Sequence, residues 1–142
     1  MQSIHKRFRL CYHVITQPVC GDDILGKTER GVIIDFLRRC KEYIGNDRFE
    51  FVRRRECLRT LISLEMEIKD VEQMILALHP ANYAKGPEDD HDPDHPGDIY
   101  VFGATVGETE LYIKLKCDES RGCVCISFHE AVWPFTYPYQ ER

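Results

Sequence analysis

The sequence contains no run of about 18 apolar residues, the length a helix needs to cross a bilayer, so no membrane-spanning segment is expected. Its first fifteen residues, MQSIHKRFRLCYHVI, are basic but offer neither a long apolar region nor a small-residue cleavage site, and no secretory signal is expected. Cys-x-x-Cys is missing although there are seven cysteines, at positions 11, 20, 40, 57, 117, 123 and 125, which leaves little basis for a zinc site. The odd count, with Cys40 and Cys57 inside helical apolar patterns, points to reduced thiols of a cytosolic protein. Cys123 and Cys125 lie two apart in an extended segment, on one face and in poor geometry to bridge each other. Excess positive charge is missing too. The formal net charge is −5, which argues against coating nucleic acid by bulk electrostatics.

Charge is nonetheless unevenly spread. Residues 38–59 carry eight Arg/Lys against four Asp/Glu, whereas residues 85–98 carry one Lys against six Asp/Glu. A basic segment facing an acidic loop permits a local phosphate site despite the net sign. At 142 residues, 43% hydrophobic and 30% charged, the chain has the size and composition of one domain around one core.

Residues 1–30 form an N-terminal extension of unclear structure, in which 8–15 can be a short strand and 17–23 a turn. The domain proper is expected over 31–142. Ile33, Phe36, Leu37, Cys40 and Ile44 recur at helical spacing over 32–44, and Gly45-Asn46 provides a left-handed stop. Residues 48–53 alternate, as a short strand or an extended link. A second helix is expected over 54–65 with Cys57, Leu58, Leu61, Ile62 and Leu64 inward. Lys69-Asp70 begins a third, over 71–78, with Asp70 and Glu72 at its positive end, closed by His79-Pro80. Residues 80–84 read as a helical turn, and 85–97 as a loop rich in Asp, Pro and His. From Asp98 the pattern changes to three antiparallel strands in a meander, followed by an aromatic, proline-broken tail expected over a sheet edge or the end of the core. Helices first and an antiparallel sheet after make an α+β domain.

The most informative stretch is 109–129. In its first strand Leu111, Ile113 and Leu115 alternate with Tyr112, Lys114 and Lys116; in its second Val124, Ile126 and Phe128 alternate with Cys123, Cys125, Ser127 and His129. If the two apolar faces meet one core, Tyr112, Lys114, Lys116, Ser127 and His129 share the opposite face. Many amphipathic hairpins simply have a wet side. This one has no carboxylate between Leu111 and Cys117, and it concentrates groups that bind phosphate and move protons.

The order of these features resembles the RelE superfamily of bacterial toxins, specifically the MqsR-type (motility quorum-sensing regulator) toxins of type II toxin–antitoxin systems. Three signatures carry the resemblance over roughly residues 31–132: LHPANYAKGP closing the third helix, the strand DIYVFG, and LYIKLK followed by CISFH. It implies a RelE-like α+β fold and a metal-independent, cofactor-free, ribosome-independent mRNA interferase that cuts single-stranded RNA. It also implies a cognate antitoxin, usually with a helix-turn-helix domain, so that DNA is bound only through the complex. By position, Lys85 falls where the family places a basic residue after the short helix, and Tyr112 matches the tyrosine of the Y-x-K strand. His129 stands where the type member has a lysine, a departure that changes the proton chemistry. Residues 1–30 and the aromatic tail go beyond the family's compact pattern.

Metal-free RNA cleavage uses the neighbouring 2′-OH as nucleophile and leaves a 2′,3′-cyclic phosphate and a 5′-OH. One proton must be removed, one supplied, and extra charge stabilised on the phosphorane. His129 is the candidate proton carrier, since positive neighbours favour a neutral imidazole. Lys114 and Lys116 are candidates to hold phosphate charge, and Tyr112 to donate or orient a proton. Lys85, Arg53, Arg54 and Arg55 are candidates for adjacent phosphates, with Ser127 on the same face. Tyr100 can stack on a base or pack in the core. Each has a plainer role: a solvated helix start for Arg53–Arg55, an edge-strand lysine for Lys116, a strand-end cap for His129. Two other classes compete. A metal-dependent hydrolase would use residues 89–95, DDHDPDH. A non-catalytic interaction protein would bind a partner through its sheet edge and the aromatic residues Trp133, Phe135, Tyr137 and Tyr139.

Overall fold

A computed structural model describes residues 8–9, 28–90, 94 and 97–140. Most of the N-terminal extension lies outside the described residues, including the expected turn at 17–23. So do 91–93 and 95–96 of the acidic loop, on which the metal-hydrolase reading rests. No helix among the described residues is long and apolar enough to cross a membrane.

Among the described residues, three helices cover one face of a six-stranded sheet. The elements run β1 (Phe8–Arg9), α1 (Arg30–Gly45), β2 (Phe49–Phe51), α2 (Arg55–Leu64), α3 (Ile68–Leu76), a 3₁₀ turn (Pro80–Asn82), β3 (Tyr83–Asp89), β4 (Asp98–Val106), β5 (Thr109–Asp118) and β6 (Gly122–Glu130). The sheet order is β1-β4-β5-β6-β2, with β3 also paired to β4. The α+β class and the β4–β5–β6 meander agree with the sequence. The sheet, however, is mixed and not purely antiparallel: Phe49–Phe51 pairs parallel with Cys123–Cys125, so a strand interrupts the helical half. Residues 83–89, expected as a turn and loop, are a strand antiparallel to β4, whose register shifts beside Gly86 and Pro87.

The helices form for the reasons their spacing indicates. In α1, Ile33, Phe36, Leu37, Cys40 and Ile44 make one buried stripe. The left-handed residue after it is Asp47 (φ 61°), not Gly45 or Asn46. In α2 the buried residues are Cys57 and Leu61, while Ile62 points to solvent, 78% exposed. α3 starts at Ile68, beside the expected Lys69-Asp70 start, where Glu67 and Asp70 form a capping box with the Glu67 amide donating to Asp70 Oδ2 at 2.8 Å.

The core lies between these helices and Tyr100, Phe102, Leu111, Ile113, Leu115 and Phe128. Burying each such side chain contributes roughly 1.5–3 kcal/mol. Phe102 lies 6.1 Å from Phe36 and 6.2 Å from Tyr83, ring to ring, so Phe102→Ala would cost about 3–5 kcal/mol. One irregularity decides which residues face outward. Opposite Lys114 and Leu115 the register of β6 shifts, so that Ser127 pairs with Lys114 but Cys125 with Leu115, and Ile126 is the extra residue. Cys123 and Cys125 therefore join the core beneath the helices, reversing the side expected from strict alternation.

Candidate functional site

The sheet face away from the helices carries the site. Tyr112 pairs with His129 across β5 and β6, and Lys114 with Ser127. Lys85 joins them from β3, where it pairs with Val101. Three strands thus bring Lys85, Tyr112, Lys114 and His129 together. The Tyr112 and His129 rings stack with centroids 4.9 Å apart and planes 9° from parallel. The Lys85 and Lys114 ammonium groups stand 6.0 Å and 5.8 Å from the Tyr112 ring centroid, within reach of its π face. His129 Nδ1 lies 3.0 Å from the Glu130 carbonyl. A carbonyl oxygen can only accept, so this bond puts the proton on Nδ1 and leaves the Nε2 lone pair of the neutral ring available.

A carboxylate reaches this face from outside the hairpin. Glu88 of β3 sits between the two lysines, 3.3 Å from Lys85 Nζ and 3.8 Å from Lys114 Nζ. The hairpin alone gave no sign of it, because 85–97 read as loop. Beyond Lys114 the face continues into a groove of about 690 Å³ lined by Arg54, Glu88, Asp89, Lys114, Arg121 and Ile126, among others. Arg121 is held there by Glu50, at 3.0 Å and 2.8 Å. Arg53 and Arg55 are exposed but do not line the groove; Arg54 does.

Three expected site residues have other roles. Lys116 is fully buried on a central strand, 2.6 Å from Asp90 and 3.9 Å from Asp118, and is neither an exposed phosphate contact nor an edge-strand lysine. It ties the acidic loop to the sheet. Tyr100 faces the helices, 4.3 Å from the Phe36 ring, and burial raises its phenol above the usual range; it packs and does not present a face to a base. Ser127 is buried beneath the strip.

The aromatic tail reaches the end of the core, where Tyr139 packs on Tyr83, and also crosses the polar face of the sheet. Phe135 lies 5.9 Å from Tyr112, ring to ring, and the Tyr137 hydroxyl donates to Glu110 Oε2 at 2.6 Å. Gly103 makes this possible, since a Cβ there would fall on the Tyr137 hydroxyl. Farther on, the buried Tyr139 donates to the Thr28 carbonyl at 2.6 Å. The tail thereby walls a second cleft of about 320 Å³ beside Lys85, Tyr112 and His129.

Behind the sheet, Cys40 and Cys117 approach to 3.3 Å between sulfurs. This contact, then the Arg39 charge, lowers the Cys117 thiol against the opposing effect of burial; the Cys40 thiol is pushed up by the same contact, then by Cys123 and burial. Among the described residues no group of three or more His, Cys, Asp or Glu is arranged to hold a metal ion. No family model, curated protein or solved structure matches the chain.

Proposed function

We propose that this chain is the toxin of a type II toxin–antitoxin system, an MqsR-type, RelE-like mRNA interferase that cleaves single-stranded RNA without a metal or cofactor and so inhibits translation and growth in the cytoplasm. The observation that carries this reading is the convergence of Lys85, Tyr112, Lys114 and His129 from three strands onto one accessible strip. In the proposed reaction His129 Nε2 takes the 2′-OH proton as the 2′-oxygen attacks phosphorus. Lys114 holds the charge on the phosphorane, and the Tyr112 hydroxyl gives a proton to the departing 5′-oxygen as the P–O5′ bond breaks. Lys85 and Arg54 hold the phosphates on either side. The partner would be a cognate antitoxin with a helix-turn-helix domain, which confines DNA binding to the complex.

The test is induced expression of wild type and His129→Ala, with growth followed and RNA 5′ ends mapped. Arrest with 5′-OH ends, lost in the variant, is the expected result; cleavage that persists in the variant would move the chemistry off this strip. A second reading, a non-catalytic interaction protein, draws support from the solvent exposure of Val132 (76%) and Trp133 (79%). It predicts neither arrest nor cleavage.

A further inference from the structure

The tail's side of the cleft, Trp133, Pro134 and Phe135, is not used by the chemistry above. The cleft is lined by the stacked pair Tyr112 and His129, by Trp133, Pro134 and Phe135 of the tail, and by Lys85. At about 320 Å³ it lies at the lower end of ligand sites, which run from roughly 300 to 1,000 Å³, and it accommodates one nucleobase with its sugar. The lining is largely aromatic, it carries the cation of Lys85, and it shares Tyr112 and His129 with the reactive strip. An apolar side chain would satisfy the aromatic lining but not Lys85. A free phosphate would satisfy Lys85 but not the aromatic lining. A nucleotide satisfies both, because every base has a π face and every link a negative charge.

We infer that this cleft is a base-stacking subsite for single-stranded RNA, holding the base beside the scissile phosphate between Trp133 and the Tyr112–His129 pair. This inference rests on the ribonuclease reading and adds to it where the substrate's base lies. It also gives the tail a function: by packing Phe135 on Tyr112 and Tyr137 on Glu110, the tail brings Trp133 to the reactive strip. Trp133 suits direct observation, since it is the only tryptophan in the chain and its side chain is exposed.

The experiment titrates the full chain with a single-stranded 2′-O-methyl RNA octamer, which lacks the attacking hydroxyl, and follows Trp133 emission. Anisotropy of the labelled octamer gives affinities for wild type, Trp133→Ala and Trp133→Phe. Saturable quenching is expected, with affinity about tenfold or more weaker in Trp133→Ala and largely restored in Trp133→Phe. Thermal melting of each variant separates a folding defect from loss of the subsite. Equal affinity in wild type and Trp133→Ala with unchanged emission overturns the subsite, as does failure of the octamer to bind. Emission that changes with protein concentration alone also overturns it, by showing a second copy in the cleft. Cleavage of the unmodified octamer is scored separately: quenching without cleavage keeps the subsite and removes the ribonuclease reading, while cleavage without quenching does the reverse.

Discussion

Tyr112 and His129 lie face to face across β5 and β6, 4.9 Å between centroids, with Lys85 and Lys114 beside the tyrosine ring. The stack fixes the imidazole plane, and the bond to the Glu130 carbonyl fixes its tautomer. Orientation and tautomer of the ring are therefore set before any substrate arrives.

From this follows a pair of substitutions with different signatures. His129→Ala is expected to lower RNA cleavage by about 10²- to 10⁴-fold, the usual contribution of general acid–base catalysis. Tyr112→Phe keeps the ring and hence the stack, so it should leave the melting temperature unchanged while still lowering cleavage. Comparing single-turnover rates with melting curves checks both, and an unaltered rate in Tyr112→Phe would remove the hydroxyl from the mechanism.

Glu88 already pairs with Lys85 and Lys114, so under the proposed function it would compete with phosphate for them. Glu88→Gln is expected to tighten binding of non-cleavable single-stranded RNA by roughly three- to tenfold at low salt, and the gain should fade as salt screens the lysines. Affinity measured across a salt series decides this. Weaker binding in the variant would mean that Glu88 holds the lysines in place instead of competing for them.

The Lys116–Asp90 pair is fully buried on the lysine side. Removing one partner of a buried pair commonly costs about 3–5 kcal/mol. Asp118 stands 3.9 Å from the same ammonium group, so Asp90→Ala should cost less, about 2–3 kcal/mol by chemical denaturation. A pH effect accompanies it. Hydrogen bonds from the Ser120 hydroxyl, then from the Ser120 and Arg121 amides, with Lys116 nearby, hold the Asp118 carboxyl down to about 2, from an ordinary 3.8. A depressed folded-state value stabilises the fold above about pH 4 and ceases to do so as pH falls towards 2. Acid titration of stability should show this decline in wild type and less of it in Asp118→Asn.

Cys117 is partly exposed and its thiol is lowered, whereas Cys40, Cys57, Cys123 and Cys125 are buried. Iodoacetamide at near-neutral pH should alkylate Cys117 at least about tenfold faster than those four, as mass spectrometry of timed digests would show. Equal labelling of Cys40 would mean that α1 separates readily from β5.

The sequence by itself determined the helices, the meander and the polar strip of the hairpin, because each depends on a periodicity that one segment carries alone. Ile33, Phe36, Leu37 and Cys40 dictate a helix face, and Tyr112, Lys114 and His129 dictate a strand face, with no reference to distant residues. Tertiary structure decided the rest. Residues 83–89 become a strand only by pairing with β4, and that pairing puts Lys85 beside Tyr112 and brings in Glu88, the acid that the hairpin lacks. A single bulge at Ile126 turns Cys123 and Cys125 inward, since one added residue reverses every side chain before it. Asp90 and Gly97, at the two ends of the acidic loop, close over Lys116 and bury it, although the same alternation would have left it in solvent. The Trp133 cleft exists only because the tail crosses Gly103, where the missing side chain leaves room for Tyr137 and Phe135.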